Sequence, residues 1–276
     1  MIMSDMLSMG ADTLRENGIE ESGLDAWYLL SYCLGITKSQ YYMNMNEDVA
    51  SEKVNGYREL IGRRAGHIPL QYITGSQEFM GIDFKVNESV LIPRQDTEVL
   101  AELAVRHAAG KRVLDMCTGS GCIAVSIAKL AGQSLVTAAD ISKEALVVAG
   151  ENARLNNAEV TFIESDLWDN VHGVYDIIVS NPPYITDAEM LTLMPEVGRH
   201  EPRLALYGGV DGLDYYSRII AGAGVHLAAD GMIMFEIGCR QAGSVSGLLE
   251  AYGYRDIRVE KDFAGFDRVV WGVMPG

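Results

Sequence analysis

Residues 113–124 read as a short apolar strand, a glycine-rich turn and the start of a helix, and this segment constrains the fold more than any other. Glycines in such a turn let the backbone bend sharply and approach a ligand, while the first N–H groups of the helix face the same point. Residues 119–124 also fit the G-x-G-x-x-G/A pattern of dinucleotide-binding turns. The segment predicts an α/β fold with a ligand site at the turn.

The sequence that follows residue 111 alternates between apolar strands and helices. The predicted strands cover residues 112–115, 135–140, 160–163, 175–180 and 232–237. The predicted helices between them cover residues 121–131, 143–155, 215–227 and 241–252. Two edge strands are predicted to follow, over residues 255–260 and 268–273. Alternation of this kind implies a parallel sheet with helices on both faces.

The sequence before residue 70 is helical in character. Amphipathic runs that end near glycines predict three helices, over residues 4–17, 24–34 and 51–65. After Pro69, short extended pieces are predicted over residues 72–75 and 78–86, with a hairpin around Gly81. A further helix, starting near Asp96 or Thr97, is predicted to run through Ala109. We therefore expect three parts: a helical N-terminal domain over residues 1–74, a β-hairpin linker over 75–92 and the α/β domain over 93–276.

The composition narrows the classes of partner. The chain has 276 residues with 22 Lys and Arg against 38 Asp and Glu, a formal charge of −16. Binding to a phosphate backbone depends on Lys and Arg, so direct contact with nucleic acid is not expected. No stretch approaches the ~18 apolar residues that span a bilayer, and no secretory signal is evident. The four cysteines lack the paired spacing of a zinc or redox site, which predicts a reduced protein with no metal. Together with the lack of a membrane-spanning stretch, this predicts a cytoplasmic protein with no membrane attachment.

Two aspartates flank the glycine turn and bear on its ligand. Asp140 ends the next predicted strand, where a carboxylate accepts hydrogen bonds from both hydroxyls of a ribose. Asp115 precedes the turn, where its charge opposes a pyrophosphate but suits a sulfonium-bearing amino acid with an ammonium group. The turn and Asp140 together predict an adenosine-type cofactor. S-adenosylmethionine and NAD remain open on these residues alone.

The motif Asn181-Pro182-Pro183-Tyr184 directly follows a predicted buried strand, at the edge of the sheet where ligands bind. The prolines hold φ fixed and remove two backbone donors. The side-chain oxygen of Asn181 and the carbonyl of Pro182 are placed to accept the two hydrogens of a planar –NH₂ group, and Tyr184 to stack on that group. This arrangement favours methyl transfer over hydride transfer. It leaves an amide and an adenine as alternative substrates.

Several sequence blocks in order resemble the HemK/PrmC family, the protein-(glutamine-N5) methyltransferases that act on peptide chain release factors. The blocks occupy residues 69–75, 78–79, 91–98, 181–185, 201–206, 209–213 and 236–238. The resemblance implies a class I S-adenosylmethionine-dependent methyltransferase domain, Rossmann-like, with a mostly parallel sheet and an antiparallel edge strand. It implies that a small helical N-terminal domain, which recognises the release factor, and a β-hairpin linker precede that domain. The implied substrate is the glutamine of the Gly-Gly-Gln motif in class 1 release factors, with S-adenosylhomocysteine as the second product.

The resemblance also assigns the site residues. The implied cofactor-binding residues are Asp115, Cys117, Thr118, Gly119, Ser120, Gly121, Asp140, Asp166, Trp168 and Asn181. The implied catalytic residues are Asn181, Pro182 and Tyr184, and the residues implied to hold the glutamine amide are Asn181, Pro182, Pro183 and Tyr184. A further group of charged residues shapes the site entrance or caps a helix: Arg94, Asp96 and Glu98. The chain departs from the family pattern at Cys117, where a glycine is usual, and this side chain bears on how the methionine part of the cofactor approaches.

Three alternatives stay open at this point. A base-N methyltransferase has the same motif, although the acidic balance and the lack of a basic target-recognition segment count against it. A noncatalytic S-adenosylmethionine-binding module and a nicotinamide oxidoreductase are the other two. The charge of −16 favours a basic surface on the partner.

Overall fold

The computed structural model describes all 276 residues of the chain. The helices are α1 (Met3–Glu16), α2 (Ser22–Leu34), α3 (Lys38–Asn44), α4 (Ser51–Ala65), α5 (Leu70–Thr74), α6 (Thr97–Ala108), α7 (Cys122–Leu130), α8 (Lys143–Leu155), α9 (Asp187–Met190), α10 (Pro195–His200), α11 (Asp214–Ala223) and α12 (Ala242–Ala251). The strands are β1 (Ser76–Phe79), β2 (Ile82–Lys85), β3 (Arg112–Met116), β4 (Leu135–Asp140), β5 (Val160–Glu164), β6 (Tyr175–Ser180), β7 (Leu227–Glu236), β8 (Arg255–Lys261) and β9 (Asp267–Val273).

The chain divides into two units. One comprises Met1–Gly75 together with Met194–His200, and the other comprises Ser76–Leu193 and Glu201–Gly276. The hairpin of β1 and β2 therefore groups with the α/β unit, and a short later segment that contains α10 groups with the N-terminal helices. The three-part division expected from the sequence stays a prediction.

The N-terminal unit is built on α1, α2 and α4, which confirm the three predicted helices to within two residues at each end. Its core includes the fully buried side chains of Met6, Leu14, Leu29, Leu30 and Tyr57. Gly10 is required for the contact between α1 and α4, because a Cβ there would lie 2.0 Å from the Tyr57 hydroxyl oxygen. A buried ion cluster joins α10 to this unit, since Arg64 contacts Asp25 at 2.7 Å and Glu196 at 3.0 Å.

Of residues 72–75, which were expected to be extended, the first three are helical instead. Helix α5 begins after Pro69 and ends at Gly75, whose φ of 78° is left-handed and stops the helix. Tyr72 and Ile73 are buried, so the apolar pair that suggested a strand is one face of a short helix. The hairpin itself is present, and Met80 and Gly81 at its turn have φ of 54° and 68°, as a two-residue type I′ turn requires.

The α/β unit contains a seven-stranded sheet in the order β5-β4-β3-β6-β7-β9-β8. The first five strands in this order are parallel, and β9 runs antiparallel to both of its neighbours. This confirms the predicted mostly parallel sheet. Successive strands extend outward from β3 on one side and from β6 on the other. The chain order therefore reverses between these two strands, which is where ligands bind in open α/β sheets.

The predicted pair of edge strands needs a correction. Only β8 lies at the edge, because β9 inserts between β7 and β8. The physical reason is burial: Val269 and Val270 of β9 are fully buried, whereas most residues of β8 are exposed.

The boundary between α11 and β7 also differs from the prediction. The helix ends at Ala223, four residues before the predicted end, and the strand begins at Leu227, five residues before the predicted start. Leu227 is buried and pairs with Tyr175 of β6. Pairing with a neighbouring strand thus extends β7 backward into sequence that had read as helix.

Helices cover both faces of the sheet, as predicted. One apolar core lies under α6, α7 and the hairpin, and the other lies under α11 and α12. None of the helices combines the length and the apolar character that crossing a bilayer requires.

Candidate active site

A cleft opens at the carboxyl edge of the sheet, where the chain order reverses between β3 and β6. Strand β3 leads into the glycine turn (residues 117–121), β4 ends at Asp140, and β6 leads into the motif loop (residues 181–184). Met116 and Ser180 are paired in the ladder, and the Ser180 hydroxyl donates to the Met116 carbonyl at 2.6 Å. The two loops therefore leave the sheet side by side.

Eight of the predicted site residues line this cleft: Cys117, Thr118, Gly119, Ser120, Asp140, Asp166, Asn181 and Pro183. Five do not line it: Asp115, Gly121, Trp168, Pro182 and Tyr184. The cleft holds about 1080 Å³ of space, its open mouth included. That size suits a nucleoside-sized ligand and a second, smaller group.

The backbone of the glycine turn is largely left-handed. Cys117, Gly119 and Gly121 have φ of 62°, 55° and 78°. Gly121 is also constrained by packing, because a Cβ there would lie 3.0 Å from the Cβ of Ala149 on α8. Cys117 therefore occupies a position that favours glycine, since a left-handed φ suits glycine best.

Asp115 is hydrogen-bonded to the turn and to the start of α7, and it does not line the cleft. It is fully buried, and its Oδ2 accepts hydrogen bonds from the Thr118 hydroxyl at 2.6 Å and the Ala124 N–H at 3.1 Å. Its Oδ1 is buried without a hydrogen bond. Burial raises the pKa of Asp115 to about 7, against the two hydrogen bonds, which lower it. Its role near a cofactor amino group stays a prediction.

Asp140 is placed for contact with a ligand. Its Oδ2 accepts the Gly119 N–H at 2.8 Å and its Oδ1 accepts the Ser142 N–H at 2.9 Å. These bonds hold the carboxylate rigidly at the cleft wall and leave each oxygen with a further lone pair. Burial raises the pKa of Asp140, and the backbone N–H groups act in the opposite direction.

Asp166 and Trp168 differ in position although they are two residues apart. Asp166 lines the cleft and pairs with Arg218 of α11 at 2.8 Å. The Trp168 ring lies outside the cleft and stacks on His226 with a centroid distance of 4.8 Å. It also lies against Gly222, where a Cβ would be 2.2 Å from the indole. Contact between Trp168 and an adenine stays a prediction.

The motif loop contains two carbonyl-type oxygens that form no hydrogen bond within the protein. The Asn181 Nδ2 donates to the Thr97 hydroxyl at 3.4 Å, whereas no hydrogen bond within the protein engages the Asn181 Oδ1 or the Pro182 carbonyl oxygen. An exocyclic –NH₂ group offers two N–H donors, which match these two acceptors.

Tyr184 does not line the cleft, and it lines a second cavity instead. Its hydroxyl donates to the Oε1 of Glu236 at 3.3 Å, and burial raises the pKa of Tyr184. The predicted stacking of Tyr184 on a planar substrate group stays a prediction.

The charged residues before α6 have separate roles. Arg94 lines the cleft and forms an ion pair with the buried Glu201. Asp96 pairs with Arg268 at 3.1 Å and makes no capping hydrogen bond with its side chain. Glu98 accepts the Met80 N–H at 2.7 Å, which ties the hairpin to α6.

Sequence reasoning missed several residues that line the cleft: Thr97, Ile141, Tyr215 and Arg218. It also missed Glu236, which accepts a hydrogen bond from Tyr184 of the motif loop. A signal existed for Glu236, because it is the only charged residue in the apolar stretch 232–237. Thr97 had been read only as a possible helix cap. Tyr215 and Arg218 carried no signal, since Arg218 meets Asp166 across 52 residues of sequence.

The residues present fit S-adenosylmethionine better than a nucleotide with a pyrophosphate. Both arginines of the cleft are already paired, Arg94 with Glu201 and Arg218 with Asp166. Asp140 remains without a cationic partner, so the unbalanced charge at the wall is negative. A ligand with a positive sulfonium and an ammonium group suits this charge, and a pyrophosphate does not.

The fold and the site together define a class I methyltransferase. The profile of the PrmC N-terminal domain matches residues 5–75, and that of the methyltransferase small domain matches residues 95–197. A solved methyltransferase from Pyrococcus furiosus has the same fold, with a TM-score of 0.55 and 17% identity over 72% of this chain and 91% of that one.

Sequence relatives narrow the class to one family. The release factor glutamine methyltransferase of Geobacter sulfurreducens is 44% identical over 94% of this chain and 92% of its own length. That of Moorella thermoacetica is 41% identical over 97% of each chain. The chain belongs to the release factor glutamine methyltransferase family, which confirms the resemblance found in the sequence.

Proposed function

We propose that this chain transfers a methyl group from S-adenosylmethionine to the side-chain amide nitrogen (N5) of a glutamine in peptide chain release factors. The substrate glutamine is that of the Gly-Gly-Gln motif in class 1 release factors, and the modification modulates translation termination. Such a substrate puts the reaction in the cytoplasm, where translation takes place. The observation that carries the proposal is the pair of free acceptors in the motif loop, beside a cleft suited to S-adenosylmethionine.

The cofactor is held by the glycine turn and two carboxylates. The turn approaches the methionine part closely, Asp140 accepts the ribose hydroxyls, and Asp166 lies further along the cleft. Bound S-adenosylmethionine supplies an electrophilic methyl group on a positively charged sulfur. No lysine or unpaired arginine lines the cleft, so the positive charge of the sulfonium is not opposed there.

The motif loop orients the glutamine amide. The Asn181 Oδ1 and the Pro182 carbonyl each accept one amide hydrogen, which fixes the plane of the –NH₂ group and directs its nitrogen at the methyl group. Accepting both hydrogens also increases electron density on the nitrogen. The proton leaves the nitrogen after the attack, so no general base is required beforehand.

The test combines a transfer assay with one variant. Wild-type protein is incubated with methyl-labelled S-adenosylmethionine and a purified class 1 release factor, and the modified peptide is identified by mass spectrometry. We expect label on the Gly-Gly-Gln glutamine. Asn181→Ala should lower turnover by roughly 100-fold or more, as loss of an acceptor that orients the reacting group does, while the affinity for S-adenosylmethionine changes little.

Asn170→Ala provides the control, because Asn170 is exposed and its side chain donates only to the Glu164 carbonyl. It should retain wild-type turnover. Label on DNA or ribosomal RNA, with none on the release factor, would overturn the proposal. Cofactor binding without any transfer would leave a noncatalytic binding module as the better reading.

A further inference from the structure

The Asn181 side chain has two ends, and only one of them suits a glutamine –NH₂ group. The oxygen Oδ1 accepts a hydrogen bond, whereas the amino group Nδ2 only donates. If the side chain were turned over, two –NH₂ groups would face each other and the substrate would lose an acceptor. The function proposed above therefore requires interactions that fix the orientation of the Asn181 side chain.

Thr97, the first residue of α6, contacts the Nδ2 end. The distance from Nδ2 to the Thr97 Oγ1 is 3.4 Å, and this is the only hydrogen bond of the Asn181 side chain. Thr97 is 2% exposed, so water does not compete for its hydroxyl. A hydroxyl both donates and accepts, however, so Thr97 alone would tolerate either end of Asn181.

Glu236, the last residue of β7, removes this ambiguity. It is 2% exposed, its Oε1 accepts the Tyr184 hydroxyl at 3.3 Å, and its Oε2 is buried without a hydrogen bond. The Thr97 hydroxyl lies beside the carboxyl, where its hydrogen-bonding effect lowers the pKa of Glu236. A carboxylate accepts and does not donate, so its unpartnered Oε2 orients the single hydroxyl proton of Thr97 toward itself.

Once that proton points at Glu236, only lone pairs of the Thr97 oxygen remain to face Asn181. Those lone pairs accept from Nδ2 and repel Oδ1. We propose that Thr97 and Glu236 are positioning residues that turn the Asn181 amide so that its oxygen faces the substrate glutamine. This inference rests on the proposed function, because the orientation matters only for a substrate with an –NH₂ group.

The charge state of Glu236 decides whether Thr97 and Glu236 fix the orientation of the Asn181 amide. Burial raises the pKa of Glu236 to about 7, and the nearby Arg268 favours the charged form. The groups that face this carboxyl, from every element packed against it, are Thr97, Asp96, Tyr184, Arg268, Cys122 and Tyr216. The test is therefore run at pH 8.5, where Glu236 is ionised.

The experiment measures kcat and both KM values for four variants. Thr97→Val keeps the shape of the side chain but removes the acceptor, and we expect kcat to fall about 10-fold with KM for S-adenosylmethionine within twofold of wild type. Thr97→Ser restores the hydroxyl and should return kcat to within about threefold of wild type. Glu236→Gln can donate to Thr97, so it should also lower kcat. Thr137→Val on β4 is the matched control, because Thr137 makes no side-chain hydrogen bond, and it should leave kcat unchanged.

A second readout is independent of turnover. In ¹⁵N–¹H spectra, the Asn181 side-chain amide signals are identified by their absence in Asn181→Ala. They should shift in Thr97→Val and Glu236→Gln and remain in place in Thr137→Val.

The outcomes separate this inference from the proposed function. If wild-type protein labels the release factor but Thr97→Val has wild-type kcat and unshifted Asn181 signals, the positioning role is refuted and the proposed function stands. If Thr97→Ser fails to rescue kcat, the role of Thr97 is structural and the inference is again wrong. If wild-type protein labels no glutamine, the proposed function fails, and the inference fails with it.

Discussion

The glycine turn and the motif loop leave adjacent strands of the same sheet, yet they are held by different kinds of interaction. The turn has left-handed φ values at three of its five residues, and its hydrogen bonds to β4 and α8 are made through its backbone, to Asp140, Ala139 and Asn152. Its anchor, Asp115, bonds to residues three and nine positions later. The motif loop instead depends on side chains far away in sequence, since Asn181 meets Thr97 and Tyr184 meets Glu236.

The two halves of the site also differ in the role that we propose for them. The turn and Asp140 form the wall suited to the cofactor, and the motif loop holds the free acceptors suited to the amide. We therefore expect changes near the turn to alter cofactor affinity, and changes near the loop to alter turnover at saturating cofactor. The predictions below test whether the two halves are separable in this way.

The largest expected effect is on cofactor affinity in Asp140→Ala. The change removes the acceptor for the ribose hydroxyls and also releases the Gly119 N–H from its partner. Hydrogen bonds to a charged group contribute roughly 1.5–3 kcal/mol each, so affinity for S-adenosylmethionine should fall about 100-fold in calorimetric titrations. Asp176→Ala is the control, because Asp176 also accepts a backbone N–H, from Arg112, but at the opposite edge of the sheet. Unchanged affinity in Asp140→Ala would break the division between the two halves.

The same difference explains what the sequence could predict. The strand, turn and helix of residues 113–124 and the motif that follows β6 are local patterns, so the α/β fold and the two loops that border the cleft could be predicted from them. The partners of the motif loop were not recognised, because Thr97 and Glu236 reach it only through tertiary packing. The prediction that β9 lies at the edge of the sheet was wrong for the same reason, since strand order is not a local property.

Side-chain direction was the other quantity that the sequence did not reveal. Trp168 lies close in sequence to a cleft residue, but its ring packs against Gly222 and His226. Tyr184 belongs to the predicted motif, but its hydroxyl is engaged by Glu236. In both cases a neighbour more than 45 residues away decides where the ring points.

The next effect concerns stability and pH at Asp115. The pKa of Asp115 is raised by burial from 3.8 to about 7, so between these values the folded protein holds a proton that the unfolded chain releases. The stability from the neutral carboxyl is fully present below pH 4 and is lost as the pH rises to 7. The asparagine of Asp115→Asn does not titrate. Between pH 5 and 7.5, the free energy of unfolding of wild type should therefore fall by roughly 2–3 kcal/mol more than that of the variant.

Urea unfolding at the two pH values measures this difference. Asp169→Asn is the control for removal of one negative charge, because Asp169 is exposed, and it should follow the wild-type pH dependence. Parallel curves for Asp115→Asn and wild type would show that Asp115 is ionised in the folded protein, and the anchor of the turn would then be a charged one.

The smallest expected effect is at Cys117, where the chain departs from the family pattern. The left-handed φ of 62° costs an L-residue roughly 1 kcal/mol, and glycine removes that cost but adds a similar loss of backbone entropy on folding. Cys117→Gly should therefore change the free energy of unfolding by less than about 1 kcal/mol and leave cofactor affinity intact. Cys122→Gly is the comparison, because Cys122 begins α7 with a helical backbone and its side chain is buried in the core, and it should destabilise by more than about 1 kcal/mol, since the backbone cost and the lost burial add. If both variants lose the same free energy of unfolding, the thiol of Cys117 contributes packing at the cleft. The turn would then depend on a side chain, as the motif loop does.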